Sequence, residues 1–406
     1  MTDLRLLFSS QIPFHTTGYA NQLNQLIKKI YNYNKEIKIG IICWQDWEIE
    51  NHSIANINTI INNTRWGQYV TEEQRIIYKD VLFYLPKSIS NYLKTICEFN
   101  THFNADKIII YQDIWPFEQF DINLYNRIKK SKFYLWLPIH TDFKNICESR
   151  NLLHLYQFDK ISTFSKFGVE VLNLYNYKSK FINHVVDNNI FKKISKEEKE
   201  ILRKRNSMDK YFICLMVSRN SSHDDRKAFK EQFEGFSIFA KDKKNVKLLI
   251  HNPVMHAYKN GLGGMIDLEK LVNDFKIENK IILTGKNTKT TQDIVNLYHL
   301  SDVLLFASKS EGFGIPAVEA QMCGIPVVTT DCTAMSENTF YGIKTEPEII
   351  SSTINGINSW SIPSPKNIAK ALEVIYQNKL EYTEIPVENY LIDNVFNDWK
   401  EFLEIN

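Results

Sequence analysis

Short β-rich apolar runs alternate with stretches of helical periodicity along most of this chain, and no other feature restricts the fold as much. Candidate strands in the first half are Leu4–Phe8, Ile37–Trp44, Lys107–Tyr111, Phe133–Ile139, Lys160–Phe164 and Lys180–Ile182. In the second half they are Tyr211–Val217, Val246–Ile250, Lys280–Leu283, Asp302–Ala307 and Ile325–Thr329. Between them, Leu23, Leu26, Ile27 and Ile30 recur at helical spacing, as do Phe229, Phe233 and Phe236, and Leu268, Leu271, Val272 and Phe275. Strands separated by helix-length segments predict parallel sheets with crossover helices. The 406 residues suit two or three domains of ordinary size. Phe191–Glu200 is charged, has helical propensity and reads as an exposed connector, which places the boundary near residue 190. The prediction is two α/β domains with a cleft between them, ligands lying outside the carboxyl ends of the strands.

Charge excludes one large class of partner. With 49 basic and 47 acidic residues the formal charge is only +2, so there is no electrostatic footprint for nucleic acid. The short cluster Arg203-Lys204-Arg205 is read as a solvated face. Six scattered cysteines contain no C-x-x-C pair, and several lie in apolar runs, as expected of buried thiols in a reducing compartment. The N-terminus lacks the layout of a signal peptide, and no stretch approaches the length of a spanning helix. The expectation is a cytoplasmic protein, peripheral contact with a membrane staying open.

The most informative segment runs from Ser308 to Val328. A strand enters a turn containing Glu311-Gly312-Phe313-Gly314, Ile315-Pro316 opens a helix, Gly324 closes it, and a second apolar strand follows. The glycines let a ligand approach bare backbone, and the helix N-terminus behind them favours an anion such as a diphosphate. Glu311 lies in the loop and Glu319 about two turns on; a carboxylate there accepts paired hydrogen bonds from vicinal hydroxyls.

This string resembles the E-x(7)-E signature of retaining glycosyltransferases with the GT-B fold, most of all those of family 4 (glycosyl transferases group 1). Val217-Ser218-Arg219-Asn220, followed by Arg226-Lys227, looks like that family's basic diphosphate clamp, with Arg219 and Lys227 at the matching positions and Arg226 able to substitute for Lys227. Ile282-Leu283-Thr284-Gly285 resembles the segment whose backbone lies near the nucleotide base. Thr17-Gly18-Tyr19-Ala20 resembles the glycine loop facing the donor phosphate, with one glycine where many relatives have two. Before the linker, Val185 stands where the family usually has glycine, so that turn must be built differently.

What the resemblance implies is a GT-B α/β fold of two Rossmann-like domains, with residues 1–190 binding acceptor, 191–390 binding donor, and a helix in 391–406 crossing back to the first domain. It implies donor binding by Gly18, Arg219, Arg226, Lys227, Thr284, Gly285, Glu311, Gly312, Phe313, Gly314, Ile315 and Glu319. Glu319 would take the ribose hydroxyls and Glu311 the sugar, while Arg219 and Lys227 stabilise the departing diphosphate. His140 and Asp142, after a strand, are candidates for the reacting sugar and the acceptor; a His satisfied by local hydrogen bonds is the competing reading. No D-x-D triplet occurs, no cofactor is implied, and no metal is expected. The partners would be a nucleoside-diphosphate sugar and a hydroxyl acceptor. A non-catalytic sugar-nucleotide-binding subunit, or a sugar-nucleotide epimerase, remains open as an alternative on the same fold.

Overall fold

The computed structural model describes residues 4–15, 17–44, 54–63, 70–86, 92–113, 126, 128, 130–140, 155–220, 225–251, 266–284, 290–352 and 359–405. The chain divides into two compact units, one of Met1–Pro138, Glu148–Val185 and Asn389–Asn406, the other of Ile139–Cys147 and Val186–Glu388.

The first unit is built on an eight-stranded sheet. Its strands are β1 (Arg5–Gln11), β2 (Lys38–Trp44), β3 (Ile54–Ala55), β4 (Leu82–Tyr84), β5 (Lys107–Tyr111), β6 (Lys132–Leu137), β7 (Lys160–Thr163) and β8 (Ser179–Phe181), in the order β3-β4-β2-β1-β5-β6-β7-β8. All neighbours are parallel except β3 against β4. Every residue of β5 is buried, as a strand covered on both faces requires. Helix α1 (Gly18–Tyr33) starts at Thr17, whose hydroxyl accepts from the Ala20 N–H, and buries Leu23, Leu26, Ile27 and Ile30. The helices α2 (Ile57–Asn63), α3 (Glu72–Tyr78), α4 (Tyr92–Phe103) and α5 (Lys166–Leu174) complete its described helical layer through residue 185. The last helix of the chain belongs to this unit too. Ile392–Leu403 sets Trp399 edge-on against Trp136 at 4.6 Å, while Lys107, Lys132 and Lys160 gather around Glu404 just beyond its end. At residue 185, where a glycine was expected, the Gln22 side-chain amide donates to the Val185 carbonyl and accepts from its N–H, both at 2.8 Å. A buried glutamine thus satisfies the backbone of that turn and no glycine is needed.

The second unit carries a six-stranded, all-parallel sheet of β9 (Phe212–Val217), β10 (Val246–His251), β11 (Ile281–Leu283), β12 (Val303–Phe306), β13 (Val327–Thr330) and β14 (Gly342–Thr345), ordered β11-β10-β9-β12-β13-β14. Its strand order reverses between β9 and β12, which in a doubly wound sheet is where ligands collect. A hairpin of β15 (Pro347–Ser352) and β16 (Ser359–Pro363) follows. Helices α6 (Lys196–Arg205), α7 (Phe229–Ala240), α8 (Leu268–Asp274), α9 (Thr291–Leu300), α10 (Ile315–Met322), α11 (Thr333–Asn338) and α12 (Pro365–Tyr376) cover it. The stripe on α7, with Phe229, Phe233, Phe236 and Phe239 nearly inaccessible, packs with Leu248, Leu305 and Leu372 in one core. Each such aromatic contributes about 1.5–3 kcal/mol by leaving water.

The charged connector, mostly exposed, forms α6, started by a reciprocal Ser195–Glu198 capping box. One sequence reading needs correction. The Arg203 cluster is not simply solvated: the Arg203 side chain is buried and its Nη1 reaches both oxygens of Asp302 at 2.8 and 2.9 Å. It also donates to the carbonyls of Leu300, Met208 and Tyr211. Asp302 in turn accepts from the Ile213 N–H at 2.8 Å, so this ion pair ties α6 to the starts of β9 and β12. A guanidinium is tolerated there because carbonyls and a carboxylate take its donors.

Candidate functional site

The site is assembled at the carboxyl end of β12. That strand runs into Ser308–Gly314, and Gly314, at φ +85°, is the cap residue of α10. A side chain there would be strained in the left-handed region, and its Cβ would come to 3.3 Å of the Phe306 ring. Pro316 stands in the first turn of α10, where a missing N–H costs nothing, and Gly324, at φ +81°, lets the chain turn towards β13. The loop is held from behind. The Glu311 N–H donates to Thr333 Oγ1 at 3.1 Å, and Asn338 Nδ2 donates to the Phe313 carbonyl at 2.9 Å, both partners lying on α11. Gly312 and Phe313 are buried with Glu311, whereas Ile315 is half-buried.

Two cations converge on Glu311. Lys227 Nζ contacts Oε1, and Arg226 Nη1 lies 3.1 Å from Oε2 while donating to the Ser310 carbonyl at 2.6 Å. Both come from a tight turn in which Asp225 (φ +50°) and Ala228 (φ +51°) adopt left-handed backbone. Asp225 secures that turn by accepting from the Phe229 and Lys230 N–H groups at 2.8 and 3.1 Å. Burial pushes the Glu311 carboxyl up, but Lys227 and Arg226 together prevail and hold it at about 2. The loop therefore presents a fixed negative charge flanked by two positive ones.

Glu319 has the opposite surroundings. It is half-buried on α10, accepts a hydrogen bond from Tyr298 Oη at 2.8 Å, and has no ion pair among the described residues. Burial raises its carboxyl to about 7, against the lowering effect of the Tyr298 hydroxyl.

The remaining expected residues are placed less closely. Arg219 is exposed on the loop after β9, with no ion pair to Glu311 among the described contacts. Thr284 follows β11, its Oγ1 3.0 Å from His251 Nδ1 at the end of β10; Gly285 lies outside the described residues. Gly18 is the exposed first residue of α1 in the first unit. His140 is half-buried, and its carbonyl accepts from Ser310 Oγ, next to the signature loop; Asp142 lies outside the described residues. Among the described residues no three His, Cys, Asp or Glu side chains group as metal ligands, and no helix is long and apolar enough to cross a membrane.

Several supporting residues escaped the sequence reading. Gln232 is fully buried, donating to the Lys227 carbonyl at 2.6 Å and accepting from the Ala307 N–H at 3.0 Å, so it joins the cationic turn to the end of β12. Lys309 lies 3.6 Å from Glu231 and 4.0 Å from Asp225, and its N–H donates to the Arg226 carbonyl at 2.9 Å. Their spacing in sequence carries no signal, because each acts on a segment some 75 or more residues away. The only hint available for Tyr298 was its place on the helix leading into β12.

The doubly wound sheet behind this loop, in a chain of two α/β units, has the fold of GT-B glycosyltransferases. The chain aligns over 99% of its length with 99% of Anabaena Alr3699/HepE, solved in complex with UDP and glucose, at a TM-score of 0.65 and 14% identity. Residues 197–384 match the model of the glycosyl transferases group 1 family. Among curated proteins it is similar to the serotype-specific mannosyltransferase WbdA of Escherichia coli, 26% identical over 31% of this chain and 17% of that protein. It is also similar to the N,N'-diacetylbacillosaminyl-diphospho-undecaprenol alpha-1,3-N-acetylgalactosaminyltransferase of Campylobacter jejuni, 29% identical over 34% of this chain and 32% of that protein. The matched segments thus span at most a third of these two relatives.

Proposed function

We propose that this protein is a retaining glycosyltransferase that moves a hexose-type sugar from a UDP- or GDP-linked donor to a hydroxyl acceptor. The observation that carries the proposal is the convergence of Arg226 and Lys227 on Glu311 at the mouth of α10. A departing nucleoside diphosphate gains negative charge as the glycosidic bond breaks, and preorganised cations beside a helix N-terminus stabilise that charge without reorganising. Glu311 orients Lys227 and Arg226 and offers its oxygens to sugar hydroxyls. Glu319 accepts from the ribose hydroxyls, and the backbone of Gly312–Gly314 faces the donor. Arg219, exposed at the end of β9, and Thr284, at the end of β11, extend the donor site along the sheet edge. His140, whose backbone meets Ser310, acts on the reacting sugar. With charge supplied by side chains, no divalent ion is needed.

The test is calorimetric titration of UDP-glucose and GDP-mannose into wild type and Glu319→Ala. Loss of hydrogen bonds to a charged acceptor contributes about 1.5–3 kcal/mol, so affinity should fall by roughly tenfold or more with the melting curve preserved. Equal affinity in both proteins would remove Glu319 from the site.

A further inference from the structure

The two carboxylates of the signature are held in unlike ways, and the difference has a consequence for donor binding. Glu311 is clasped by two cations. Glu319 faces a neutral phenol: the Tyr298 ring is fully buried on α9, and its hydroxyl donates to Oε2 at 2.8 Å. Among the described residues the other titratable group near it is the Cys323 thiol at the C-terminal cap of its helix, buried and protonated, its own titration pushed up to about 12 by burial and by Glu319. A phenol locked in the core fixes where one carboxylate oxygen sits while lending it only partial positive charge.

We propose that Tyr298 is a positioning residue for Glu319, and that Glu319 gives up a proton when a nucleotide sugar docks its ribose there. This rests on the donor reading above. A neutral carboxyl presents one good acceptor and one donor, whereas two vicinal hydroxyls that both donate need the carboxylate. Binding selects the ionised form, and the proton goes to solvent. Because Glu319 titrates near 7 in the free protein, release falls in the neutral range. Tyr298 favours the ionised form by donating to it, so removing its hydroxyl moves the titration upward. Lys227, lowered to about 8 mainly by burial, would take up a proton on meeting a diphosphate, which is the opposite sign and separates the two groups.

The experiment is calorimetry of the full chain with UDP-glucose and GDP-mannose, whose diphosphates have no ionisation of their own near neutrality. Each titration is run from pH 6 to 8.5 in buffers of different ionisation enthalpy, for wild type, Tyr298→Phe and Glu319→Gln. Wild type should release about half a proton at pH 7, and release should vanish in Glu319→Gln. Tyr298→Phe should release more at pH 7, its affinity should drop by about tenfold there, and the deficit should shrink as pH rises. Tyr298→Phe keeps the buried ring, and a matching thermal melt with an unshifted pH profile would show the hydroxyl to be structural only, overturning the proposal. Should Glu319→Gln bind as tightly as wild type, or wild type bind neither nucleotide sugar, the donor reading itself fails and the proposal with it.

Discussion

At Glu311 two effects of opposite sign meet on one carboxyl group. Burial raises its titration, yet Lys227 and Arg226 prevail and keep it ionised down to about 2. Its folded value is depressed, so the stability it contributes is present above the ordinary carboxylate range and is lost only as pH falls through about 2. The cations should matter more to the transition state than to the bound donor, because the leaving group's charge grows during bond cleavage. Lys227→Ala is therefore expected to cut kcat about a hundredfold while raising donor KM much less. His140→Ala should lower kcat and leave nucleotide affinity nearly unchanged, since the anchoring groups are untouched; wild-type turnover would make it a structural histidine. Steady-state kinetics beside nucleotide titration reads both variants. Glu311, Glu319 and the Arg226-Lys227 pair were legible in the sequence because their spacing sits within two short segments. Tyr298, Gln232 and Thr333 were not, since a hydrogen bond across the fold leaves no trace in local order.

The elements were legible wherever apolar runs were fully buried. Lys107–Tyr111 was expected as a strand and is one, residue for residue. The strands left unnoticed are β3, β4, β14 and the β15–β16 hairpin, which are short or mixed in burial. The charged connector was read with helical propensity and is helical: α6 exposes a surface of Lys and Glu, while Lys199 Nζ donates to the Ser301 carbonyl at 2.6 Å and Arg203 is buried. Its ion pair with Asp302 holds α6 onto the sheet. Arg203→Ala removes its buried hydrogen bonds, while Lys199, 3.7 Å away, still faces Asp302, so the variant should cost about 1.5–3 kcal/mol in denaturant unfolding. A loss under about 0.5 kcal/mol would show the pair to be solvated in solution. Gly314→Ala belongs to the same scale. It strains the cap of α10 and should weaken donor binding with only a modest drop in Tm, because φ +85° and the nearby Phe306 ring both resist a side chain. Unchanged donor affinity would show that the loop keeps its form without the glycine.

The alternation of strands and helices was enough to predict parallel sheets with crossover helices, and both large sheets are parallel except for β3 against β4. The alternation alone does not assign the chain's ends; the helix in 391–406 was expected in the first domain from the resemblance, and Asn389–Asn406 groups with the first unit, through Trp399, Phe402 and three lysines around Glu404. An amphipathic helix shows which face is buried but not against what. For the whole molecule the charge assignment makes one firm prediction. Turnover should survive prolonged EDTA treatment, whereas an enzyme dead in EDTA and restored by Mn²⁺ or Mg²⁺ would contradict it. The central claim, that this site breaks the bond between sugar and diphosphate, is tested most directly by following UDP-glucose and GDP-mannose by NMR with no acceptor present. Slow release of free sugar and nucleoside diphosphate is expected from wild type, sharply reduced in Lys227→Ala. Tight binding of either donor without any cleavage, or conversion of the sugar while it stays attached to the nucleotide, would contradict the account.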